Sequence, residues 1–228
     1  MSDSDYPRAI RSFVTRTGRI TSAQERALEE LWPKYGVQLD AAPLDLDALF
    51  GRRARHIVEI GFGNGDNLLE LAASRPAEDF LGIEVHRPGV GRLLLQLKER
   101  ELGNVRVVCH DAVEVLDRYL GGPCLDEILI LFPDPWPKKR HHKRRLIQTP
   151  FVALLTERLK GGGALRLATD WEPYAAEMLV TLSGETRLHN VSAEGSFIPR
   201  PAERSPTRFE RRGERLGHQV WDLEFRRL

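Results

Sequence analysis

The sequence is short of cysteine. Cys109 and Cys124 are the two it has in 228 residues. That is too few for a disulfide framework or for a zinc site built on thiolates. Both stand beside apolar segments and read as small buried side chains in a reducing compartment. Long apolar runs are missing too: no stretch approaches the roughly 20 residues that a membrane helix needs. The first six residues are polar and acidic, unlike a signal peptide. A cytoplasmic protein is expected. An excess of one charge sign is also absent, since 34 Lys and Arg face 33 Asp and Glu, for a net charge of +1. The whole chain is therefore no polycation, and any affinity for nucleic acid has to be local. With 41% hydrophobic residues, the length suits one α/β domain with a full apolar core and a short extension.

Residues 1–20 carry four arginines, few large apolar side chains and no period. They are read as a flexible basic arm, and residues 21–228 as a single domain. Ser22-Ala23-Gln24-Glu25 has the form of a capping box, with Leu28, Leu31 and Trp32 following at helical spacing. A helix of roughly three turns is expected there, covering the sheet ahead of the main domain. From residue 56 short apolar runs alternate with amphipathic stretches. Strands are expected at 57–60, 80–85, 105–109, 128–132 and 164–168. Helices are expected near 66–74, 89–101, 112–120, 149–160 and 172–183. Continuous apolar strands alternating with helices imply a doubly wound, mostly parallel sheet covered on both faces. Two later strand candidates, 187–192 and 219–225, have no helix between them and are expected to pair as an antiparallel edge.

In such a sheet ligands bind beyond the carboxyl ends of the strands. After the first strand comes Glu59-Ile60-Gly61-Phe62-Gly63-Asn64-Gly65. Its glycines permit a tight turn and close approach of a ligand, although such turns also serve plain strand–helix packing. The spacing Gly-x-Gly-x-Gly differs from the Gly-x-Gly-x-x-Gly of a dinucleotide site. Glu59 would repel a diphosphate and favour a cation. Glu84, after the second strand, suits a ribose whose hydroxyls donate to it. Asp111, after the third, is either an acceptor for an adenine amino group or a simple helix cap. Three acids ending three successive strands fit a ligand with a cation, a ribose and an adenine, and S-adenosylmethionine is such a ligand.

The fourth strand runs into Pro133-Asp134-Pro135-Trp136-Pro137 and then into residues 138–145, which hold six Lys or Arg and two His. The prolines restrain the backbone around Asp134, and Trp136 offers a flat face to a base. Lys138, Arg140, His141, His142, Lys143, Arg144 and Arg145 offer contacts to phosphates. A basic run alone is usually a solvated loop, but a solvated loop has no need of a rigid apolar turn beside it. Asp170, after the fifth strand, either caps the next helix or holds a substrate base. Thr207, Arg208, Phe209 and Glu210 lie in a loop bounded by Pro206 and Gly213, a mixture suited to an unpaired base. The rival classes are an NAD-dependent dehydrogenase, a methyltransferase for another RNA or a small molecule, and a non-catalytic RNA-binding module. The glycine spacing opposes the first, the basic run a small substrate, and the three strand-terminal acids the last.

The stretches 59–63, 84–91, 132–145, 168–170 and 207–210 resemble bacterial tRNA (guanine-N7-)-methyltransferases, and the likeness runs from Arg16-Thr17-Gly18-Arg19 to Phe225. The string Pro-Asp-Pro-Trp-Pro-Lys-Lys-Arg-His is highly specific; the glycine loop alone is not. The resemblance implies a seven-stranded class I methyltransferase fold and S-adenosylmethionine as methyl donor. It implies tRNA as partner and N7 of guanosine 46 in the variable loop as target. It also implies that Glu59, Glu84, Asp111 and Asp134 contact the donor alongside Gly61, Gly63 and Gly65, and that Asp134 carries catalysis. Lys138, Asp170, Thr207, Arg208, Phe209 and Glu210 would bind the tRNA, with residues 140–145 beside it. A stand-alone monomer without metal is implied as well. Asn64 and Arg208 depart from the family pattern, where Met and Lys are commoner.

Overall fold

A computed structural model of the chain describes residues 12–13, 19–39, 43–202, 204, 210 and 219–228. Most of the expected arm, and Thr207, Arg208 and Phe209, lie outside the described residues. The centre is a seven-stranded sheet in the order β3-β2-β1-β4-β5-β7-β6. Its strands are β1 (His56–Ile60), β2 (Asp79–Ile83), β3 (Val105–Val108), β4 (Leu125–Leu131), β5 (Leu159–Thr169), β6 (Leu188–Asn190) and β7 (Trp221–Arg227). The first five run parallel. The expected antiparallel edge is present: β7 runs against both β5 and β6. Strand β5 starts earlier than its apolar run implied, because the segment around Gly161, Gly162 and Gly163 extends it. Strand β2 ends earlier, at Ile83, which leaves Glu84 outside the ladder and available to the neighbouring loop.

The helices are α1 (Ser22–Glu30), α2 (Trp32–Tyr35), α3 (Leu46–Phe50), α4 (Asp66–Ser74), α5 (Arg87–Glu99), α6 (Ala112–Glu114), α7 (Thr149–Arg158) and α8 (Glu172–Ser183). Each buried strand feeds both faces of the sheet, since neighbouring side chains point to opposite sides. Ile57 packs with Leu68 and Leu93 from α4 and α5, while Val58 packs with Val152 and Met178 from α7 and α8. Each such fully buried aliphatic side chain contributes about 1.5–3 kcal/mol relative to exposure. The stretch expected as a helix near 112–120 is one α-turn, α6, followed by a π-helical turn, Val115–Tyr119.

One expectation about the N-terminal helix is corrected. Its cap is Thr21, paired reciprocally with Gln24, one residue earlier than the overlapping Ser22…Glu25 pattern. It packs chiefly against α5, with Ala27 in the same apolar cluster as Ile57 and Phe80 of the sheet. At Gly91 of α5 an added Cβ would stand 2.7 Å from the Gln24 carbonyl oxygen, so glycine is what lets the two backbones approach.

Candidate active site

The topological switch lies between β1 and β4, because the chain turns to β2 and β3 on one side and to β4 and β5 on the other. The glycine loop leaves β1 there. Gly61, Gly63 and Gly65 have φ of 73°, 58° and 81°, left-handed values that other residues adopt at a cost. Gly61 and Gly63 have open space where a Cβ would stand, so the loop presents bare backbone. Gly65 caps α4. Glu84 closes the loop onto the end of β2: its carboxylate accepts from the Gly63 N–H at 2.8 Å, the Val85 N–H at 2.7 Å and the His86 N–H at 2.9 Å. Three of its roughly four lone-pair sites are thereby used, so the carboxylate stands fixed at the rim before any ligand arrives.

A cleft of about 210 Å³ opens beyond these strand ends, and Gly61, Glu84, His110, Asp111 and Asp134 are on its walls. Three of the four expected donor-contacting acids thus meet in one cavity. Asp111 lines the cleft and also caps α6 through the Val113 N–H at 2.9 Å. Glu59 is not on the cleft wall. It points to the α4 side of β1, is 3% exposed, and accepts from Asn67 Nδ2 at 3.0 Å. Burial pushes its carboxyl up to about 7; the Asn67 bond pulls down and the charge of Glu84 pushes further up. Gly63 and Gly65 are likewise absent from the wall.

Asp134 is exposed at the cleft, inside a turn whose backbone is unusual at both ends. Phe132 has φ of 52° and Trp136 of 44°, which cost on the order of 1 kcal/mol each and persist only where the surroundings hold them. The Phe132 N–H donates to the Ala168 carbonyl at 2.8 Å. The Trp136 indole N–H donates to the Ser12 carbonyl at 3.0 Å. The Arg144 guanidinium lies 5.1 Å from the Trp136 ring centroid, and His141 meets the ring edge-on at 5.8 Å. The surface on which a base was expected to stack is therefore partly engaged by the chain itself.

The basic run folds as a 3-10 helix, Lys139–Arg144, and divides into two parts. Lys138, Lys139, Arg140 and Lys143 are exposed, and His141, His142 and Arg144 are half-buried. Desolvation, then the charges of Arg140, Arg144, Lys138 and Lys143, hold His141 below its ordinary pKa. Arg145 departs from its expected place beside the RNA. It is 3% exposed, donates to the Pro135 carbonyl at 2.9 Å, pairs with Glu177 of α8, and lies 4.7 Å from the Tyr174 ring centroid. Once the 3-10 helix ends, its last arginine is carried under the turn instead of over the surface. Burial raises the pKa of the Tyr174 phenol beside it.

Asp170 does not cap α8; the cap position is Trp171, whose N–H donates to Thr169 Oγ1 at 3.3 Å. Glu210 is 2% exposed and bound to Arg204 and Arg200, so it faces inward. Sequence reasoning passed over Asn67, Arg204 and the pair Ser12 and Phe13, which lie at the cleft. A polar residue one position into α4 was the available signal for Asn67; the others belong to no pattern. Among the described residues no group of three His, Cys, Asp or Glu is placed to hold a metal ion. No helix of the described residues is long and apolar enough to cross a membrane.

Residues 53–223 match a family model described as "Putative methyltransferase". A tRNA (guanine-N(7)-)-methyltransferase of Leifsonia xyli subsp. xyli (strain CTCB07) is 57% identical over 218 residues, 96% of this chain and 96% of that one. Another, of Nitrosococcus oceani, is 54% identical over 225 residues, 99% of this chain and 94% of that one. Among solved structures, the antibiotic-resistance methyltransferase Kmr has a TM-score of 0.57 at 14% identity, over 84% of this chain and 94% of its own. A protein described as "a putative methyltransferase from streptococcus mutans in complex with SAH" has a TM-score of 0.52 at 10% identity, over 92% and 100%. At such identities the two structures show a shared fold.

Proposed function

The chain belongs to the tRNA (guanine-N(7)-)-methyltransferases, and from that premise we propose that it methylates N7 of guanosine 46 in the variable loop of tRNA, with S-adenosylmethionine as donor. The observation that carries the reading is the meeting of Glu84, Asp111 and Asp134 on one cleft, directly ahead of an exposed basic helix. The reading takes residues 21–228 as one catalytic domain, preceded by an arm at 1–20, acting as a monomer in the cytoplasm without a metal.

The residues present suit the donor. Open backbone at Gly61 and Gly63 would lie along it, with Gly65 setting the turn into α4. The fixed Glu84 carboxylate would take the ribose and Asp111 the adenine side. Glu59 would act from beneath the loop, its ionised form favoured by a cation nearby. S-adenosylmethionine supplies an electrophilic methyl group on a sulfonium. Guanine N7 carries an in-plane lone pair and no proton, so Asp134 has no proton to remove there. Its role is to orient the guanine, or to balance the positive charge that the base acquires. Alignment of the reacting atoms would supply most of the acceleration. The base has to leave the tRNA fold to reach the cleft. Lys138, Arg140, His141, His142, Lys143 and Arg144 would hold the backbone that flanks it, with Asp170 and the 207–210 segment at its side.

Incubating the purified chain with unmodified tRNA and S-adenosylmethionine, then cleaving with borohydride and aniline, tests this. A cut at guanosine 46 that depends on donor and enzyme is expected; intact tRNA refutes the reading.

A further inference from the structure

A buried arginine outside the expected site stands against the Asp134 turn. Arg204 is 6% exposed, and its guanidinium is held in two forks. Nε and Nη2 donate to Asp222 at 2.8 and 2.9 Å, and Nη1 and Nη2 donate to Glu210 at 2.6 and 3.0 Å. Asp222 is 4% and Glu210 2% exposed. The same guanidinium lies 5.7 Å from the centroid of the Phe132 ring, the residue whose left-handed backbone opens the turn two positions before Asp134.

The three partners come from different parts of the chain. Asp222 stands on β7 opposite Ala168 of β5, and the Ala168 carbonyl takes the Phe132 N–H. Phe132 is thus tied through its backbone to β5 and through its ring to an arginine anchored on β7. Glu210 adds a third tie, to the C-terminal segment. A buried ion triad is a poor source of stability, because removing three charges from water offsets most of their attraction. It is an effective way to fix an orientation, since a planar guanidinium with two forks has a single pose.

We propose that Arg204 is a positioning residue for methyl transfer: by holding the Phe132 ring it sets the turn that aims the Asp134 side chain into the cleft. The proposal rests on the tRNA methyltransferase reading, and Arg204 touches neither donor nor base in it. Loss of aim costs rate without costing donor affinity, because Glu84 and Asp111 are held by their own backbone contacts.

The test uses the full chain with Arg204→Lys, which keeps the charge and loses both the forks and the flat face. Single-turnover methylation at saturating tRNA and donor is expected to fall roughly ten- to a hundredfold. Donor affinity should stay within about twofold, because only the reacting geometry is lost. Phe132→Leu is the second variant, and the pair should be non-additive: combined with Arg204→Lys it slows the reaction no more than the worse single change. An unchanged rate in folded Arg204→Lys overturns the proposal. So does an equal loss of rate and donor affinity, which marks a merely structural role, and so do additive effects in the double variant. If Arg204→Lys does not fold, Asp222→Asn, which keeps one acceptor for the fork, replaces it in the same comparison. A wild-type chain that leaves tRNA unmethylated refutes the functional reading itself and the proposal with it, whereas an active wild type with an equally active Arg204→Lys refutes the proposal alone.

Discussion

Glu59 and Asp134 are both acids after or within the sheet's carboxyl end, yet their surroundings assign them different behaviour. Glu59 is buried, and its carboxyl titrates near 7 in the fold against 4.5 for an ordinary glutamate. Between those values the folded chain holds more protons than the unfolded one, so stability falls as pH rises from about 4.5 to about 7 and the loss is complete above that. Glu59→Gln keeps the size and the Asn67 contact and removes the charge. The donor-free variant is expected to lose less stability than wild type between pH 5 and pH 8, by no more than about 3 kcal/mol, measured as urea midpoints at the two pH values. An equal loss in both proteins would contradict the assignment. Asp134 is exposed at the cleft, and the role proposed for it is toward the base. Asp134→Asn should slow single turnover by roughly a hundredfold or more while leaving S-adenosylmethionine binding near wild type in calorimetry. Parallel loss of both would make Asp134 a donor-binding group only.

At the scale of the element, the 138–145 run shows how one charged string can serve two ends. Its exposed Lys143 and its buried Arg145 are two residues apart, and substitution should separate them. Lys143→Ala is expected to lower the slope of log affinity for tRNA against log salt by about 1, with no change in melting temperature. Arg145→Met should lower the melting temperature, because Glu177 loses its partner and the Pro135 carbonyl its donor, a cost of roughly 1–3 kcal/mol. Thermal denaturation and filter binding across a salt series check both. The basic character of the run was legible in composition. The inward turn of its last residue was not, because Arg145 is held by Glu177, 32 residues further on, and no local spacing encodes that pair.

At the scale of the whole molecule, the two sheet faces carry separate cores, and the cleft sits where their connections diverge. A ligand there bridges β1, β2 and β4 and should stabilise the fold as a unit. S-adenosylhomocysteine at about 100 times its dissociation constant is expected to raise stability by about 2.7 kcal/mol, seen as one shifted transition in differential scanning calorimetry. NAD at the same concentration should leave the transition in place. A shift with NAD and none with the homocysteine compound would return the dehydrogenase reading. Sedimentation at micromolar concentration should give the mass of a single chain, 25.9 kDa.

The parallel strands, the glycine loop and the strand-terminal acids were open to the sequence, because they rest on local physics. Apolar runs set the buried strands, left-handed backbone demands glycine, and ligand sites follow strand ends. That determined a doubly wound sheet and pointed to Glu84, Asp111 and Asp134 at its carboxyl end, while the seven-stranded methyltransferase fold was implied by the family resemblance. Tertiary structure alone decided which acids share a cavity. Glu59 and Ile60 are adjacent in sequence and face opposite sides of one strand, and the choice of face follows from which helices pack there. It alone decided that Arg145 and Arg204 turn inward against the Asp134 turn. Their partners are distant in the chain, and a guanidinium enters the interior only where folding has already brought carboxylates, carbonyls and aromatic rings to meet it.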